Sequence, residues 1–181
     1  MKKRFFALFL IVVLLLSCGC HKATQEGYKL FRSSPMGYSI EYPEYWQKAS
    51  DLKERVAVFV TPMEGYSDEF IEKVSVQQMI PDAKAEGTFD EYVKGYTADL
   101  AKKIHNYKLV SEQEAKLGGE DAYRIVYESS SDDGKETFRF MQIFAQHGDA
   151  FYTVIYQADF VSFAYFLPAV ETMLSTFTFL K

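Results

Sequence analysis

The second half of the chain consists of β-type segments separated only by short turns. Three clusters provide the turns, because Gly and Asp readily adopt the backbone angles of tight hairpins. Strands joined in this way pair with their sequence neighbours, so the order predicts an antiparallel meander. The predicted strands are residues 107–116, 121–129, 136–146 and 150–158, and the turns are Gly118-Gly119, Asp132-Asp133-Gly134 and His147-Gly148-Asp149.

Two helices are predicted around this meander. Apolar residues recur at helical spacing between Phe89 and Ile104, with Thr88 as the N-cap. The second helix closes the chain, and its apolar stripe is Val170, Met173, Leu174 and Phe177. Pro168 cannot lie in a helix interior without loss, which predicts either that this helix begins there or that it is kinked.

Three strands are predicted ahead of the first helix. Residues 38–42 alternate apolar and polar side chains and end at Pro43, as a half-buried strand does. Residues 56–61 are apolar on both faces, which predicts a central strand. In the third strand, Val74 and Val76 point inward, and we expect Lys73, Ser75 and Gln77 to face water.

The beginning of the chain has the features of an export signal. Three basic residues at 2–4 precede an apolar run at 5–16 that is shorter than the roughly 20 residues a membrane-spanning helix needs. Leu15-Leu16-Ser17-Cys18 follows and resembles the lipobox of bacterial lipoproteins, in which the cysteine thiolate takes a diacylglyceryl group. We therefore expect residues 1–17 to be the signal peptide, 18–27 a lipidated N-terminus with a short tether, and 28–181 one folded domain.

Two cysteines compete for the lipid. Leu15 lies three positions before Cys18, where the lipobox has an apolar residue, whereas Ser17 holds that position relative to Cys20. Gly19 is favourable immediately before Cys20, so Cys18 is the predicted site and Cys20 the alternative. Either anchor predicts a location on the extracytoplasmic face of a bacterial membrane.

Charge and cysteine content exclude several classes of function. The net charge is −5, and the chain has no cluster of Lys and Arg after residues 2–4. Nucleic-acid binding requires such a cluster to neutralise phosphates, so we exclude it. Because both cysteines precede the predicted domain, that domain has no disulfide, no cysteine nucleophile and no cysteine metal ligand.

Three motifs resemble the PsbP family. Gly37-Tyr-Ser-Ile-Glu-Tyr-Pro-Glu-Tyr-Trp46 is similar to the opening strand and loop of that family, and Val58-Phe-Val-Thr-Pro62, with Asp68, Phe70 and residues 72–76, is similar to its paired strands. Met173-Leu-Ser-Thr-Phe177 is similar to its final helix. The resemblance covers about residues 30–180. It implies an α+β fold, an α-β-α sandwich with one central antiparallel sheet.

The same resemblance implies a function through protein contacts. In plants PsbP is an extrinsic subunit of photosystem II, a relative of the same fold binds the GTPase Ran, and the bacterial lipoproteins of this group mostly have no established activity. The fold alone therefore does not fix the function.

Residues suited to catalysis or metal binding are few. His105 and His147 are the histidines of the predicted domain; each lacks an evident partner, and we expect surface or capping roles for both. Asp132-Asp133-Gly134 and Asp68-Glu69 carry oxygens that suit Ca²⁺, but without a calcium-loop spacing they are interpreted as a hairpin turn and a solvated loop. We expect no metal, no cofactor and no intrinsic catalytic activity.

Aromatic residues gather in the loops beside the first strands. They are Tyr42, Tyr45, Trp46 and Tyr66. A lone tryptophan usually buries its ring, so Trp46 is predicted to close one end of the core; the other interpretation is an aromatic rim for a partner or small ligand. Tyr45, Tyr66 and Asp68 are the candidate contact residues.

These observations predict a lipid-anchored, non-catalytic binding or accessory module with an unknown protein or small-molecule partner. The alternative is an exported enzyme acting on cell-envelope material. Such an enzyme would require an acid–base pair within hydrogen-bond reach of a cleft.

Overall fold

The computed structural model describes residues 24–51, 53–63, 71–81 and 87–181. The predicted signal peptide, both cysteines, Tyr66 and Asp68 lie outside these residues. The strands are β1 (Tyr28–Ser33), β2 (Tyr38–Pro43), β3 (Gln47–Asp51), β4 (Val56–Val60), β5 (Lys73–Met79), β6 (Lys108–Leu117), β7 (Glu120–Ser130), β8 (Thr137–His147), β9 (Ala150–Asp159) and β10 (Thr178–Phe179). The helices are α1 (Phe89–Lys103) and α2 (Phe160–Thr176).

The fold is α+β and contains an antiparallel sheet of seven strands in the order β3-β4-β5-β9-β8-β7-β6. The predicted meander is confirmed, because β6, β7, β8 and β9 pair in sequence order. The resemblance implied one central sheet, whereas the structure adds a second sheet in the order β1-β2-β10. This small sheet forms because β10 follows α2 directly and pairs with β2.

The two helices pack on opposite faces of the large sheet. In β8, Phe144 packs with Val93 of α1, whereas Met141 and Ile143 belong to the core that includes Phe163 of α2. Neighbouring residues of a strand point to opposite faces, so these contacts assign one helix to each face. The small sheet shares the core of α2 through Phe31, Tyr38 and Ile40, all of them buried.

Helix α1 begins and ends as its residues predict. The Thr88 hydroxyl accepts the backbone N–H of Glu91, and the Glu91 carboxylate accepts that of Thr88 at 2.7 Å. This reciprocal capping satisfies two donors that the first turn would leave free. The helix ends at Lys103, so His105 lies just beyond it and not in its last turn.

Helix α2 begins at Phe160, eight residues before Pro168. The predicted start of this helix at Pro168 is therefore wrong. Asp159 is the N-cap, with its Oδ1 atom accepting the N–H groups of Val161 at 2.8 Å and Ser162 at 3.0 Å. Pro168 lies inside the helix. A proline there leaves the carbonyl of Ala164 without its helical donor, but both residues are exposed and water reaches them.

Two strand interpretations also need correction. Strand β4 is second from the edge of the large sheet and not central, because β3 pairs with its outer side. Ser75 was expected to face water, but it is buried, since β5 lies between β4 and β9 and both faces of the sheet are covered there. Lys73 and Gln77 are exposed as predicted.

Candidate functional site

A groove runs beside the first turns of α1, between this helix and strands β6 and β7. Its main cavity encloses about 730 Å³, and a second cavity of about 220 Å³ continues it along the helix. Phe89, Asp90 and Tyr123 line both cavities. We call this surface the α1 groove.

The aromatic side chains that line the α1 groove are held in place by contacts with the large sheet. Phe89 is the first residue of α1, and its ring lies edge-on to that of Phe151, with 5.2 Å between centroids. Tyr123 projects from β7, and its hydroxyl donates a hydrogen bond to the carboxylate of Glu112 on β6. That bond and partial burial together raise the pKa of Tyr123 to about 12, so the hydroxyl keeps its proton at neutral pH.

Acidic side chains surround these aromatic walls. The carboxylates of Asp90, Glu114 and Asp121 line the main cavity, and that of Glu112 borders it through Tyr123. Lys116 is the cation of the main cavity, and its ammonium group is paired with Asp121. Lys94 lines the second cavity, so these four carboxylates outnumber two ammonium groups. The groove therefore offers partly buried aromatic rings beside a net negative charge, a composition that suits a cationic segment of a protein partner.

A further cavity of about 570 Å³ lies on the other side of α1. Tyr92 and Phe151 form its apolar wall, and the capping residues Thr88 and Glu91 form its polar wall. The capping bonds from Thr88 lower the pKa of Glu91, so this carboxylate is ionised at neutral pH. Both sides of the α1 N-terminal turns are thus concave and bordered by negative charge.

Of the candidate contact residues from the sequence, the described one, Tyr45, does not line the α1 groove. Trp46 is buried, with 3% of its surface exposed, and its ring packs edge-on against Phe166 at 6.0 Å. This confirms that it closes the core. Tyr42 is half-buried against Phe59, whereas Tyr45 is 57% exposed. Tyr66 and Asp68 remain predictions.

Sequence reasoning missed the groove residues. Phe89 was predicted only as the start of the apolar period of a helix and Tyr123 only as part of the strand 121–129, and the folded chain brings them to one cavity. The available signal was β6, where Glu112, Glu114 and Lys116 alternate on one face of a strand whose residues are almost all exposed.

Both histidines have carboxylate partners, which corrects the prediction that they are unpaired. His105 contacts Asp132 through Nε2, and His147 Nδ1 lies 2.8 Å from Glu120 Oε1. The His147 ring also stacks on Phe179 at 4.3 Å, which fixes β10 against the large sheet. Among the described residues, no group of three or more His, Cys, Asp and Glu side chains is arranged to hold a metal ion.

A pair of carboxyl groups lies at the start of α2. Glu72, only 3% exposed, accepts a hydrogen bond from the Thr61 hydroxyl at 3.0 Å and shares a hydrogen bond with Asp159. Burial, together with the bond to Asp159, raises the pKa of Glu72. Partial burial opposes ionisation of Asp159, but hydrogen bonds from Ser162, Val161 and Glu72 outweigh it and lower the pKa of Asp159. The shared proton therefore resides on Glu72.

We expect Glu72→Gln to make the domain increasingly more stable than the wild type as the pH rises above about 4.5. Because the folded-state pKa of Glu72 is above the unfolded value of 4.5, the wild type loses stability as pH rises through that window. A neutral amide keeps a donor for Asp159 without this loss. Urea unfolding between pH 4 and 8 measures the difference.

Glu91→Gln is the matched control, with the opposite sign. Its folded-state pKa is lowered, so its ionised form contributes stability above pH 4.5 that disappears as the pH falls. The variant should therefore lose stability relative to the wild type at neutral pH. A Glu72→Gln variant that shows the same sign as Glu91→Gln would contradict the assignment of the proton.

The PsbP family model matches residues 26–179. The chain belongs to the PsbP family. The match begins beside β1 and ends at β10, so it covers both sheets and both helices. No curated protein sequence matches the chain significantly.

Solved structures of PsbP-like fold are similar over most of the chain. Cyanobacterial PsbP from Synechocystis is 16% identical with a TM-score of 0.59, and the alignment covers 91% of this chain and 98% of that protein. A Pseudomonas aeruginosa protein of unknown function is 17% identical with a TM-score of 0.57, over 82% and 94% of the two chains. The Ran-binding protein Mog1p from Saccharomyces cerevisiae is 14% identical with a TM-score of 0.56, over 85% and 96%. At these identities the likeness shows the fold alone.

No helix formed by the described residues of this PsbP-family chain is long and apolar enough to cross a membrane. The lipid anchor predicted at the lipobox-like residues 15–18 lies outside the described residues and stays a prediction.

Proposed function

We propose that this protein is a non-catalytic binding module, anchored by lipid to the extracytoplasmic face of a bacterial membrane, that holds a protein partner in the α1 groove. The observation that carries the proposal is the 730 Å³ cavity, in which Phe89 and Tyr123 lie beside three carboxylates. The partner segment that fits is basic and carries an apolar or aromatic residue. Its positive charge is attracted by the carboxylates of the groove, and its apolar residue packs against the two rings. Fold likeness to the Ran-binding protein Mog1p supports a protein partner. We also propose that the helices on the two sheet faces make the domain an α-β-α sandwich.

Charge reversal in the groove should release the partner. We expect Asp90→Lys with Glu114→Lys to weaken partner capture from detergent-solubilised membranes at least about tenfold, roughly 1.4 kcal/mol, because two like charges then face a cationic segment. The control is Glu54→Lys with Asp149→Lys, which makes the same charge change at two exposed turn positions away from the groove.

The comparison of the two double variants decides this proposal. A partner that is captured by the wild type and the control but lost by the groove variant supports it, provided that all three proteins melt alike. A partner that both double variants lose equally would show attraction by overall charge, and a partner that both retain would exclude the groove.

Cys18 is the proposed lipid attachment site. Leu15 at the third position before it supports this choice over Cys20, and two or three acyl chains at ~0.8 kcal/mol per buried CH₂ make attachment stable. We expect mass spectrometry of the membrane-purified protein to find a chain that begins at a diacylglyceryl-modified Cys18. A chain that begins at Cys20, or an unmodified Cys18, contradicts this assignment.

One observation favours the second candidate, an exported enzyme acting on cell-envelope material. Glu72 and Asp159 are the kind of carboxyl pair that such an enzyme uses, since their surroundings raise the pKa of one and lower the pKa of the other. However, the Asp159 carboxylate accepts the capping hydrogen bonds of α2, and neither carboxyl group lines the cavities along α1. If the wild type degrades isolated envelope material and Glu72→Gln does not, although the variant is folded and no less stable, the enzyme is the correct function.

A further inference from the structure

The first half of α2 is apolar on the side that faces away from the core. Between Phe160 and Val170 the helix has no charged residue, and Ser162 is its one hydroxyl besides that of Tyr165. Phe163, Phe166 and Val170 fill the core, yet Val161 is 79% exposed, Tyr165 73% and Phe160 49%. A helix that is apolar on every side is normally covered on every side. The Arg139 guanidinium lies 4.5 Å from the Phe160 ring centroid, but Val161 and Tyr165 of this stripe remain largely uncovered.

Two other exposed apolar residues directly precede residues that contact this helix. Tyr45 precedes Trp46, whose ring packs on Phe166, and the Phe166 ring in turn contacts that of Tyr165 at 4.8 Å. On the other side, Ile71 is exposed and precedes Glu72, which is hydrogen-bonded to Ser162 in the first turn of α2. We call Tyr45, Ile71, Phe160, Val161 and Tyr165 the α2 apolar face.

The N-terminal chain enters the domain at this same place. The backbone N–H of Glu44 donates to the carbonyl of Gly27 at 2.9 Å, and Tyr28 pairs with Pro43. The strand that leads in from the N-terminus is therefore fixed next to Tyr45. Thr24 is the sixth residue after Cys18, and six steps of ~3.3–3.6 Å span about 20–22 Å at most.

We propose that the α2 apolar face rests on the bilayer to which Cys18 is anchored. The inference depends on the proposed lipid anchor, which would hold Thr24 within about 20 Å of the membrane and so raise the effective concentration of the neighbouring α2 apolar face there. Tyrosine and phenylalanine side chains favour the headgroup region, and the contact is apolar because an acidic chain gains nothing from anionic lipids.

This orientation also assigns the two faces of the molecule. The α2 side of the large sheet turns toward the lipid, and the α1 groove on the opposite face stays open to a partner. A second copy of the chain or a protein partner on the α2 apolar face are the competing occupants, and the experiment separates them from the bilayer.

The test places an environment-sensitive fluorophore on the full lipidated chain, reconstituted into phosphatidylcholine vesicles. The label is attached at Val161→Cys or, as the control, at Asp149→Cys in the exposed turn between β8 and β9, both in a Cys20→Ser background. We expect blue-shifted emission and several-fold slower reduction by dithionite at position 161 on vesicles, and neither change at position 149. Both positions are exposed, so the substitutions leave the melting temperature unchanged.

Each contrary result has its own meaning. A chain that floats with the vesicles while position 161 is reduced as fast as position 149 keeps its anchor and overturns the bilayer contact. Protection at 161 that persists in detergent and grows with protein concentration identifies a second copy and also overturns it. A chain that does not float with vesicles overturns both the anchor and the contact.

Discussion

Trp46→Ala should destabilise the domain by about 3–5 kcal/mol, the usual cost of removing a buried aromatic side chain. Trp46 is 3% exposed and packs edge-on against Phe166, so the truncation leaves a cavity between the β2–β3 connection and α2. Urea unfolding at neutral pH measures the loss.

Tyr45→Ala is the matched control for this prediction. Tyr45 is the preceding residue in the same loop and is 57% exposed, so its truncation should change stability by less than about 0.5 kcal/mol. Equal losses for the two variants would mean that the loop, and not the buried ring, is what stabilises this end of the core.

Arg139→Ala should cost about 2–3 kcal/mol, below the 3–5 kcal/mol of a fully buried pair because one partner remains. Arg139 Nε donates to Glu128 Oε1 at 3.1 Å, and its guanidinium lies 4.5 Å from the Phe160 ring centroid. Glu128 is buried, so removal of Arg139 leaves its carboxylate with only the exposed ammonium of Lys108, 3.3 Å away.

Arg139→Ala should lower the free energy of unfolding by less at acidic pH than at neutral pH. Hydrogen bonding to Arg139 lowers the pKa of Glu128, so the ion pair contributes stability above pH 4.5 and loses it as the pH falls through the folded-state pKa. Lys108→Ala removes the exposed partner and should cost under about 1 kcal/mol. If Arg139→Ala lost no more stability than Lys108→Ala at every pH tested, the result would contradict this account.

Much of the fold could be predicted from local patterns. Helix α1 has a regular apolar period, a capping pair and, apart from Gly95, no turn residues, and the meander strands alternate with Gly- and Asp-containing turns. These signals are contained within short segments, so the sequence reports them directly. Trp46 was predictable for a different reason, since a large ring is rarely left in water.

The missed elements lack a pattern of their own and form by pairing with other segments. Strand β3 (Gln47–Asp51) has no apolar alternation and forms by pairing with β4, and β10 is two residues that pair with β2. The start of α2 was missed because residues 160–167 are almost all apolar, so the sequence shows neither the helical nor the strand period. Pro168 was also misleading, because it suggested that the helix begins there.

The candidate site was harder to predict than the fold. The α1 groove joins Phe89 with Tyr123 through the packing of α1 on β7, and each residue alone is indistinguishable from a core aromatic. The Glu72–Asp159 pair likewise joins the start of β5 to the end of β9, and neither segment has a pattern that predicts contact with the other.

The central claim is that this protein works by holding a partner in the α1 groove, and in-cell photo-crosslinking tests it most directly. A photoreactive residue replaces Lys94, which is exposed in the groove, or Asp149, in the turn between β8 and β9. The account predicts a discrete crosslinked protein from position 94 that is absent from position 149 and disappears when Asp90→Lys and Glu114→Lys are added. Crosslinks from position 94 that match those from 149, or that survive the charge reversal, would contradict it.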